Sequence, residues 1–235
     1  MQPGYYRIVF RDEYLARFSY SGQFCLLTLP GVFLRRPFSI YATRKGSVEF
    51  LYKVLGKGTK ELSQLKPGEK LKVLGPLGTS YDTKSKNSVP LLVGGGTGIA
   101  SLNFLAQQLK IKGVLFYGAK SKSDIVTLNG FNKWKVIKIT EDGSIGQKGL
   151  VTRAFEEFVK KNKEKHFVVY ACGPNMMLKK VSDICSKNGI KGFISLEEMM
   201  ACGVGNCQGC AIKAGETYKM VCKDGPVFNI GDVEL

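Results

Sequence analysis

The sequence predicts an α/β fold combined with an all-β unit: an antiparallel β-barrel, a doubly wound parallel sheet and a small third unit. Short strand-like stretches with Gly and Pro turns fill residues 1–83, a pattern typical of a small barrel. Strand-like and helix-like stretches alternate over residues 84–195, which indicates a parallel sheet with covered faces. Residues 196–235 carry closely spaced cysteines. A chain of 235 residues is long enough for this organisation.

The first unit is predicted to be almost free of helices. Its strand-like stretches are residues 6–10, 23–29, 38–42, 47–55 and 69–74. One short amphipathic helix is predicted at residues 59–65. The polar residues 82–88 are typical of a linker to the second unit.

The second unit begins with a buried strand at residues 89–93. Apolar positions spaced along one helix face follow it, at Ile99, Leu102, Ala106 and Leu109. The remaining strands are predicted at residues 114–117, 136–140, 167–171 and 193–195. Further helices are predicted at residues 150–161 and 175–187, and Gly189 stops the second of these.

A glycine-rich turn at residues 94–98 separates the first strand of the second unit from its helix. Free amide groups and the helix dipole at such a turn attract a pyrophosphate. The segment lacks the third glycine of the G-x-G-x-x-G fingerprint, so it also suits a tight packing turn. A second turn, residues 172–174, follows a later strand directly. Because ligands bind at the carboxyl ends of parallel strands, the two turns are consistent with one extended dinucleotide site.

Four cysteines near the C-terminus form the clearest chemical pattern of the chain. Cys202, Cys207 and Cys210 are spaced C-x4-C-x2-C, and Cys222 follows alone. This is the ligand pattern of a plant-type [2Fe–2S] cluster, whereas structural zinc is usually held by two separate cysteine pairs. Three glycines of the loop allow backbone angles that turn amide groups toward cluster sulfurs: Gly203, Gly205 and Gly209. The spacing favours iron–sulfur, and zinc stays open as the alternative.

The composition indicates a globular protein and restricts its setting. The formal net charge is +16, but the basic residues are spread along the chain without an aromatic-interleaved basic motif, so no nucleic-acid partner is expected. The apolar runs are far shorter than a membrane span, and no secretory signal is visible. Cys25, Cys172 and Cys185 lie outside the cluster pattern. Because three cysteines cannot all form disulfide pairs with one another and no export signal is visible, we expect reduced thiols and a cytoplasmic location.

Three segments of the barrel carry groups suited to a phosphate-containing cofactor: residues 36–40 (RPFSI), 51–53 (LYK) and 56–59 (GKGT). Arg36 is a good bidentate phosphate donor, and Gly58-Thr59 suits a phosphate turn. A surface arginine and an ordinary turn explain the same residues without a ligand. Together the segments resemble the flavin-binding motif of the ferredoxin–NADP reductase superfamily. That resemblance implies that FAD is bound by Arg36, Pro37, Phe38, Ser39, Leu51, Tyr52, Lys53, Gly58 and Thr59.

The resemblance covers nearly the whole chain once the order of the motifs is considered. The barrel motif, the two turns and the four cysteines follow the order of the electron-transfer subunits of NAD-dependent dihydroorotate dehydrogenases. Residues 196–203 (LEEMMACG) and 221–228 (VCKDGPVF) are especially similar to that family. Two departures are visible. Met199 replaces a residue that is more usually basic in the family, and Phe38 lacks the phenol that many reductases carry there.

The resemblance implies an electron-transfer role in pyrimidine (UMP) biosynthesis. Electrons from an FMN-containing dihydroorotate dehydrogenase catalytic subunit would cross the [2Fe–2S] cluster on the four cysteines, reach FAD and pass as hydride to NAD⁺. Two copies of each subunit would form a heterotetramer. Ser39 would orient the flavin N5, and Cys172 would line the nicotinamide pocket, unless it is simply a small buried strand-end residue. The residues implied for NAD are Gly95, Gly96, Thr97, Cys172, Gly173 and Pro174.

Three other interpretations stay open. The same cofactors would serve an NAD(P)H-dependent reductase subunit for a ferredoxin, a hydrogenase or a sulfur-reducing partner. A zinc-stapled nucleic-acid-binding module would use the basic charge, and a redox sensor would use the cofactors without turnover. Lys120 and Lys122 follow a predicted strand and leave the choice between NAD and NADP open.

Overall fold

The computed structural model describes residues 2–84 and 88–235, so residues 85–87 of the predicted linker lie outside the described residues. The predicted fold class is confirmed: an antiparallel sheet is followed by a mainly parallel sheet and a small cysteine-rich segment. No helix in the described ranges is long and apolar enough to cross a membrane.

The described part of the first unit forms a five-stranded antiparallel sheet in the order β1-β4-β3-β2-β5. Its strands are β1 (Tyr5–Arg11), β2 (Phe24–Leu27), β3 (Arg36–Arg44), β4 (Ser47–Lys53) and β5 (Val73–Leu77). The pairing of β3 with β4 shifts register between Ile40 and Ala42, and such a bulge increases the local bend and twist of a strand. The bent sheet encloses an apolar core that includes Leu27, Ile40 and Phe50.

Two helices accompany this sheet, α1 (Glu13–Phe18) and α2 (Lys57–Gln64). Helix α2 lies near its predicted place, but the expectation that the rest of the unit lacks helices was wrong. Helix α1 buries only Leu15, so it carries no apolar periodicity, and the Asp12 carboxylate caps it by accepting from the Leu15 amide at 2.8 Å. Strand β5 begins later than predicted because Glu69 folds back onto the Lys66 amide in a turn.

The second sheet contains a parallel core and is extended by the third unit. Its strands are β6 (Val89–Gly95), β7 (Val114–Ala119), β8 (Lys135–Thr140), β9 (Gln147–Lys148), β10 (Phe167–Cys172) and β11 (Lys191–Ser195). The third unit adds a separate hairpin, β12 (Ala211–Ala214) with β13 (Thr217–Met220), and then β14 (Val227–Asn229). In the described residues the sheet order is β14-β11-β10-β6-β7-β8-β9, with β14 antiparallel to β11.

Helices cover both faces of this sheet: α3 (Ile99–Gln108) on one, α4 (Val151–Lys161) and α5 (Asn175–Lys187) on the other. Helix α3 is buried all round from Ile99 to Ala106, because it lies between the sheet and the barrel. Its Asn103 side chain donates to the Tyr41 carbonyl and accepts from the Gly130 amide. The bond to Tyr41 joins the second unit to the barrel, and the bond to Gly130 lies within the second unit.

The third unit also contains a short helix, α6 (Val221–Asp224). Because β14 completes the edge of the second sheet, this unit is not structurally separate from the second. The division into residues 1–83, 84–195 and 196–235 is kept as a proposal.

Candidate functional site

A cavity of about 870 Å³ lies where the barrel, the glycine-rich turn and the segment leading to the cysteines meet. Every residue predicted to bind FAD lines it: Arg36, Pro37, Phe38, Ser39, Leu51, Tyr52, Lys53, Gly58 and Thr59. Thr97 of the glycine-rich turn and Met199 of the cysteine segment line it as well. The volume is that of a cofactor site.

The N-terminus of α2 forms one wall of the cavity. The Thr59 hydroxyl accepts from the amides of Leu55 (3.0 Å) and Gly56 (3.2 Å), which caps the helix. The first intrahelical bond shown at this end joins the Lys60 amide to the Gly56 carbonyl, so the amides of Lys57 and Gly58 precede it and are available to a ligand. Arg36 lines the same cavity, and its guanidinium donates to the Leu34 and Arg35 carbonyls. A helix N-terminus and a guanidinium in one cavity suit a pyrophosphate.

The floor of the cavity is aromatic. Tyr52 is 5% exposed, and its ring meets the ring of Phe38 edge to face at 5.8 Å. Burial raises the pKa of the Tyr52 phenol to about 12, so it is neutral at physiological pH. Aromatic side chains beside polar groups in one cavity fit a ring system such as isoalloxazine.

The charged end of Lys53 bridges the barrel and the second unit. Its ammonium contacts Asp124 at 2.5 Å and lies over the ring of Tyr5, whose hydroxyl donates to the same carboxylate. The hydrogen bond from Lys53 lowers the pKa of Asp124. Lys53 therefore lines the cavity while its charge is paired, and a direct bond from it to FAD stays a prediction.

The two predicted nucleotide turns lie against each other at the carboxyl ends of β6 and β10. A Cβ built on Gly98 would lie 2.5 Å from the Cys172 carbonyl oxygen, and one built on Gly95 would lie 2.9 Å from Pro174. These backbones touch only because the side chains are absent. Gly96, with φ +53°, meets nothing within 4 Å, so its face is open to a ligand. The structure thus brings residues 95–97 and 172–174 together as one edge.

Cys172 is fully buried and does not line the large cavity, so its part in a nicotinamide pocket stays a prediction. Burial raises the pKa of its thiol, and Ser195 hydrogen-bonds to it. Ser195 also hydrogen-bonds to the buried Tyr81 phenol, which accepts from Ser101 at 3.3 Å. Lys120 and Lys122 are exposed beyond β7 and leave the nucleotide choice open.

Sequence reasoning missed several polar groups of the cavity wall, among them Ser195, Glu197 and Glu198. These three lie at or just after the carboxyl end of β11, where ligands bind in such sheets, and this position was the available signal. Glu197 is an exposed residue that lines the cavity, and the protein around its carboxyl group still removes part of its hydration. Burial therefore raises the pKa of its carboxyl group.

The four cysteines of the third unit form a loop organised by its own backbone. The Cys202 sulfur accepts from the amides of Val204 (3.5 Å) and Cys207 (3.4 Å). The Cys222 sulfur accepts from Gly205 at 3.1 Å, and the Cys222 amide donates to the Cys210 sulfur at 3.4 Å. Among the described residues, no three His, Cys, Asp or Glu side chains form a group suited to one metal ion.

The thiols pair as Cys202 with Cys207 and Cys210 with Cys222. The amides of Cys207 and Val204 lower the pKa of Cys202 to about 6, so this residue readily supplies a thiolate. Four sulfurs with inward amide donors fit the thiolate set of a [2Fe–2S] cluster. Cys207 is exposed at the protein surface, whereas Cys210 and Cys222 are buried.

The fold and the site define an FAD- and iron–sulfur-dependent oxidoreductase with the ferredoxin reductase fold. One family model, the iron-sulfur cluster binding domain of dihydroorotate dehydrogenase B, matches residues 197–234. A second, the oxidoreductase NAD-binding domain, matches residues 92–183. The first match resolves the choice between iron–sulfur and zinc in favour of iron–sulfur.

Similar proteins identify the family. The electron transfer subunit of dihydroorotate dehydrogenase B (NAD(+)) from Caldanaerobacter subterraneus subsp. tengcongensis is 41% identical, over 92% of this chain and 87% of that protein. Its counterpart from Clostridium acetobutylicum is 39% identical, over 97% of this chain and 90% of that protein. The chain belongs to the family of dihydroorotate dehydrogenase B electron transfer subunits.

Solved structures show the same architecture. A structure of the NADH-dependent reduced ferredoxin-NADP oxidoreductase superposes with a TM-score of 0.87 at 28% identity, covering 99% of this chain and 86% of that one. A cytochrome P450 reductase from Amycolatopsis superposes with a TM-score of 0.67 at 20% identity, covering 80% of this chain and 62% of that one, and supports the fold alone.

Proposed function

We propose that this chain passes electrons from an FMN-containing dihydroorotate dehydrogenase catalytic subunit to NAD⁺, in the synthesis of pyrimidine nucleotides. One observation carries the proposal: the predicted FAD residues, Thr97 of the nucleotide turn and Met199, which lies close in sequence to Cys202, line a single cavity. This shared lining supports a cofactor site next to the nucleotide turn and the segment that leads to the cysteines. When bound, the [2Fe–2S] cluster supplies single-electron transfer, and FAD supplies exchange between single electrons and hydride.

The barrel side of the cavity holds the cofactor. We assign the pyrophosphate to Arg36 and the N-terminus of α2, and the ring system to the aromatic floor of Phe38 and Tyr52. We assign the orientation of the flavin N5 to the Ser39 hydroxyl, because Ser39 lies on β3 in the cavity wall. The nucleotide then lies on the edge formed by residues 95–97 and 172–174.

The chain must also supply a proton. An iron–sulfur cluster delivers electrons alone, whereas NAD⁺ takes two electrons and one proton as hydride. For each NAD⁺ reduced, a residue of this chain would therefore have to supply one proton in the cavity. Glu197 is suited to hold it, because its carboxyl group opens into the cavity and its pKa is raised by burial.

The subunit name of the family implies a catalytic partner. We infer a heterotetramer of two copies of each subunit, in the cytoplasm. The partner face includes the cluster loop, because Cys207 and Val204 of that loop are exposed.

Co-expression of the tagged chain with the FMN-binding dihydroorotate dehydrogenase of its own genome tests this function. We expect the two to co-purify with equal amounts of FMN and FAD and to reduce NAD⁺ with dihydroorotate. A Cys222→Ser version of the chain, which lacks one cluster ligand, is expected to remove that activity. Separate elution of the two proteins, or an active mixture with the Cys222→Ser version, would contradict the proposal.

The similarity to the ferredoxin-NADP oxidoreductase structure favours one second candidate, a reductase subunit for a ferredoxin-type partner. Its cofactors are the same, so the electron donor decides. Reduced ferredoxin that drives NAD⁺ reduction by the isolated chain, without any dihydroorotate-oxidising subunit, would favour this candidate.

A further inference from the structure

The amide of Gly205 makes the shortest amide–sulfur contact in the described cluster loop. Its nitrogen lies 3.1 Å from the Cys222 sulfur, whereas the other amide–sulfur distances are 3.4 and 3.5 Å. Gly205 has φ +80°, a left-handed conformation that glycine adopts at little cost. This conformation aims the amide at the sulfur.

The side chain of Lys223 covers Gly205 from outside. A Cβ built on Gly205 would lie 2.7 Å from Lys223 Cδ and 3.0 Å from Lys223 Cβ, so the lysine stem packs directly on the glycine. Lys223 follows Cys222 in α6, and the residue as a whole is exposed. Gly205 donates the hydrogen bond, and Cys222 accepts it. The stem of Lys223, the residue after Cys222, therefore packs on the donor, while its ammonium stays in solvent.

We propose that Lys223 is a positioning residue for the cluster: its aliphatic stem holds Gly205 so that the amide stays on the Cys222 sulfur. This proposal rests on the assignment of Cys222 as a cluster ligand. Hydrogen bonds to a ligating thiolate favour the more negative, reduced cluster and so raise its reduction potential. Lys223 thus sets how readily the cluster accepts an electron, without touching iron.

Charge and packing can be separated with two substitutions. Lys223→Ala removes both the stem and the charge, whereas Lys223→Met removes the charge and keeps a stem of similar length. Lys213→Ala is the matched control, because it removes a charge from the same unit where the ammonium pairs with Glu234. The readout is the midpoint potential of the cluster in the purified holoprotein, from a redox titration followed by EPR, together with the EPR spectrum and the iron content.

We expect Lys223→Ala to lower the midpoint potential of the cluster and to change its EPR spectrum. Lys223→Met and Lys213→Ala should keep the potential and the spectrum of the parent protein. If Lys223→Ala loads too little iron to titrate, Lys223→Thr, which keeps only the start of the stem, is expected to lower the potential. An unchanged potential in Lys223→Ala (or in Lys223→Thr, where that is titrated) overturns the proposal. An equal fall in Lys223→Met overturns it too, since the charge would then be the cause. The titration needs no partner, so its outcome is independent of whether dihydroorotate is the source of electrons.

Discussion

The cofactor cavity and the cluster loop are built in different ways. In the cavity most of the groups proposed to bind are side chains, such as Arg36 on β3 and Glu197 after β11, and the N-terminus of α2 adds backbone amides. In the cluster loop the donors to the sulfurs are all backbone amides, and a residue such as Gly205 contributes its amide and its conformation without a side chain. In the proposed function the cavity handles hydride and protons, which need specific functional groups. The loop handles electrons, for which the field of oriented amides is sufficient.

The largest effect is expected from Gly205→Ala, which tests whether backbone amides hold the cluster in its loop. The added Cβ meets Lys223 and the residue disfavours φ +80°, so the amide leaves the Cys222 sulfur. We expect cluster retention to fall by about tenfold or more. Iron and sulfide analysis of the purified protein measures it.

Gly215→Ala is the matched control. Gly215 in the β12–β13 turn has φ +62° with nothing within 4 Å, so it carries similar backbone strain without a contact to the cysteines. Iron loss equal to that of Gly205→Ala would show that the hydrogen bond to Cys222 is not what retains the cluster.

Glu197→Gln tests the proton-handling side. The carboxyl group donates only while protonated, so NAD⁺ reduction by the parent complex should fall as the pH rises through the raised pKa. The substitution should lower the rate by about 100-fold and remove this pH dependence. Steady-state rates of the co-purified complex across pH provide the measurement, with Glu164→Gln, at an exposed position outside the cavity, as the control. An unchanged pH profile in Glu197→Gln would assign the proton to another group.

The same substitution has a linked effect on stability. Because the folded-state pKa of Glu197 is raised, its stabilising contribution is complete below the ordinary carboxyl pKa and is lost as the pH rises through the raised pKa. Glu197→Gln should therefore flatten the fall in the free energy of unfolding over that interval. Urea unfolding of parent and variant at several pH values tests the sign, and a steeper fall in the variant would oppose it.

Arg36→Ala tests side-chain binding of the cofactor. Loss of a charge-assisted pair to a pyrophosphate, about 1.5–3 kcal/mol, should weaken FAD binding roughly 10- to 100-fold. Titration of the flavin-free protein with FAD measures this. Arg35→Ala, which does not line the cavity, should bind FAD like the parent. Equal affinity in Arg36→Ala would remove this residue from the site.

The smallest effect is expected from Gln208→Gly in the cluster loop. Gln208 has φ +58°, which strains a residue with a side chain. Glycine removes this strain, but it loses more conformational entropy when the chain folds. The first effect is the larger, so the free energy of unfolding should rise by about 0.5–1 kcal/mol. Lys133→Gly, at φ +68° outside the loop, should show a similar gain by urea unfolding. A loss confined to Gln208→Gly would mean that its side chain supports the loop.

The features predicted from the sequence are those carried by local spacing. The four cysteines, residues 36–39 and the glycine turn between β6 and α3 each contain their signal within a short segment. Residues 36–39 and Thr97 of the glycine turn line one cavity, and the cysteines belong to the loop that follows Met199 of its wall. Helix α1 was missed because a single buried residue, Leu15, provides no periodicity.

The missed parts depend on contacts that are distant in sequence. Lys53 and Asp124 are 71 residues apart, and nothing near either residue indicates their ion pair. Ser195 and Glu197 reach the cavity only because β11 lies beside β10 and the barrel closes over that edge. The complete burial of Asn103 likewise follows from the barrel packing on α3.

The central claim is that the cavity and the cluster loop form one path for electrons. Anaerobic addition of NADH to the isolated holoprotein tests it most directly, with flavin absorbance and EPR recorded on the same sample. The account predicts bleaching of the flavin together with the EPR signal of a reduced [2Fe–2S] cluster, and bleaching alone in Cys222→Ser. A parent protein whose flavin is bleached while its intact cluster stays oxidised would contradict the account.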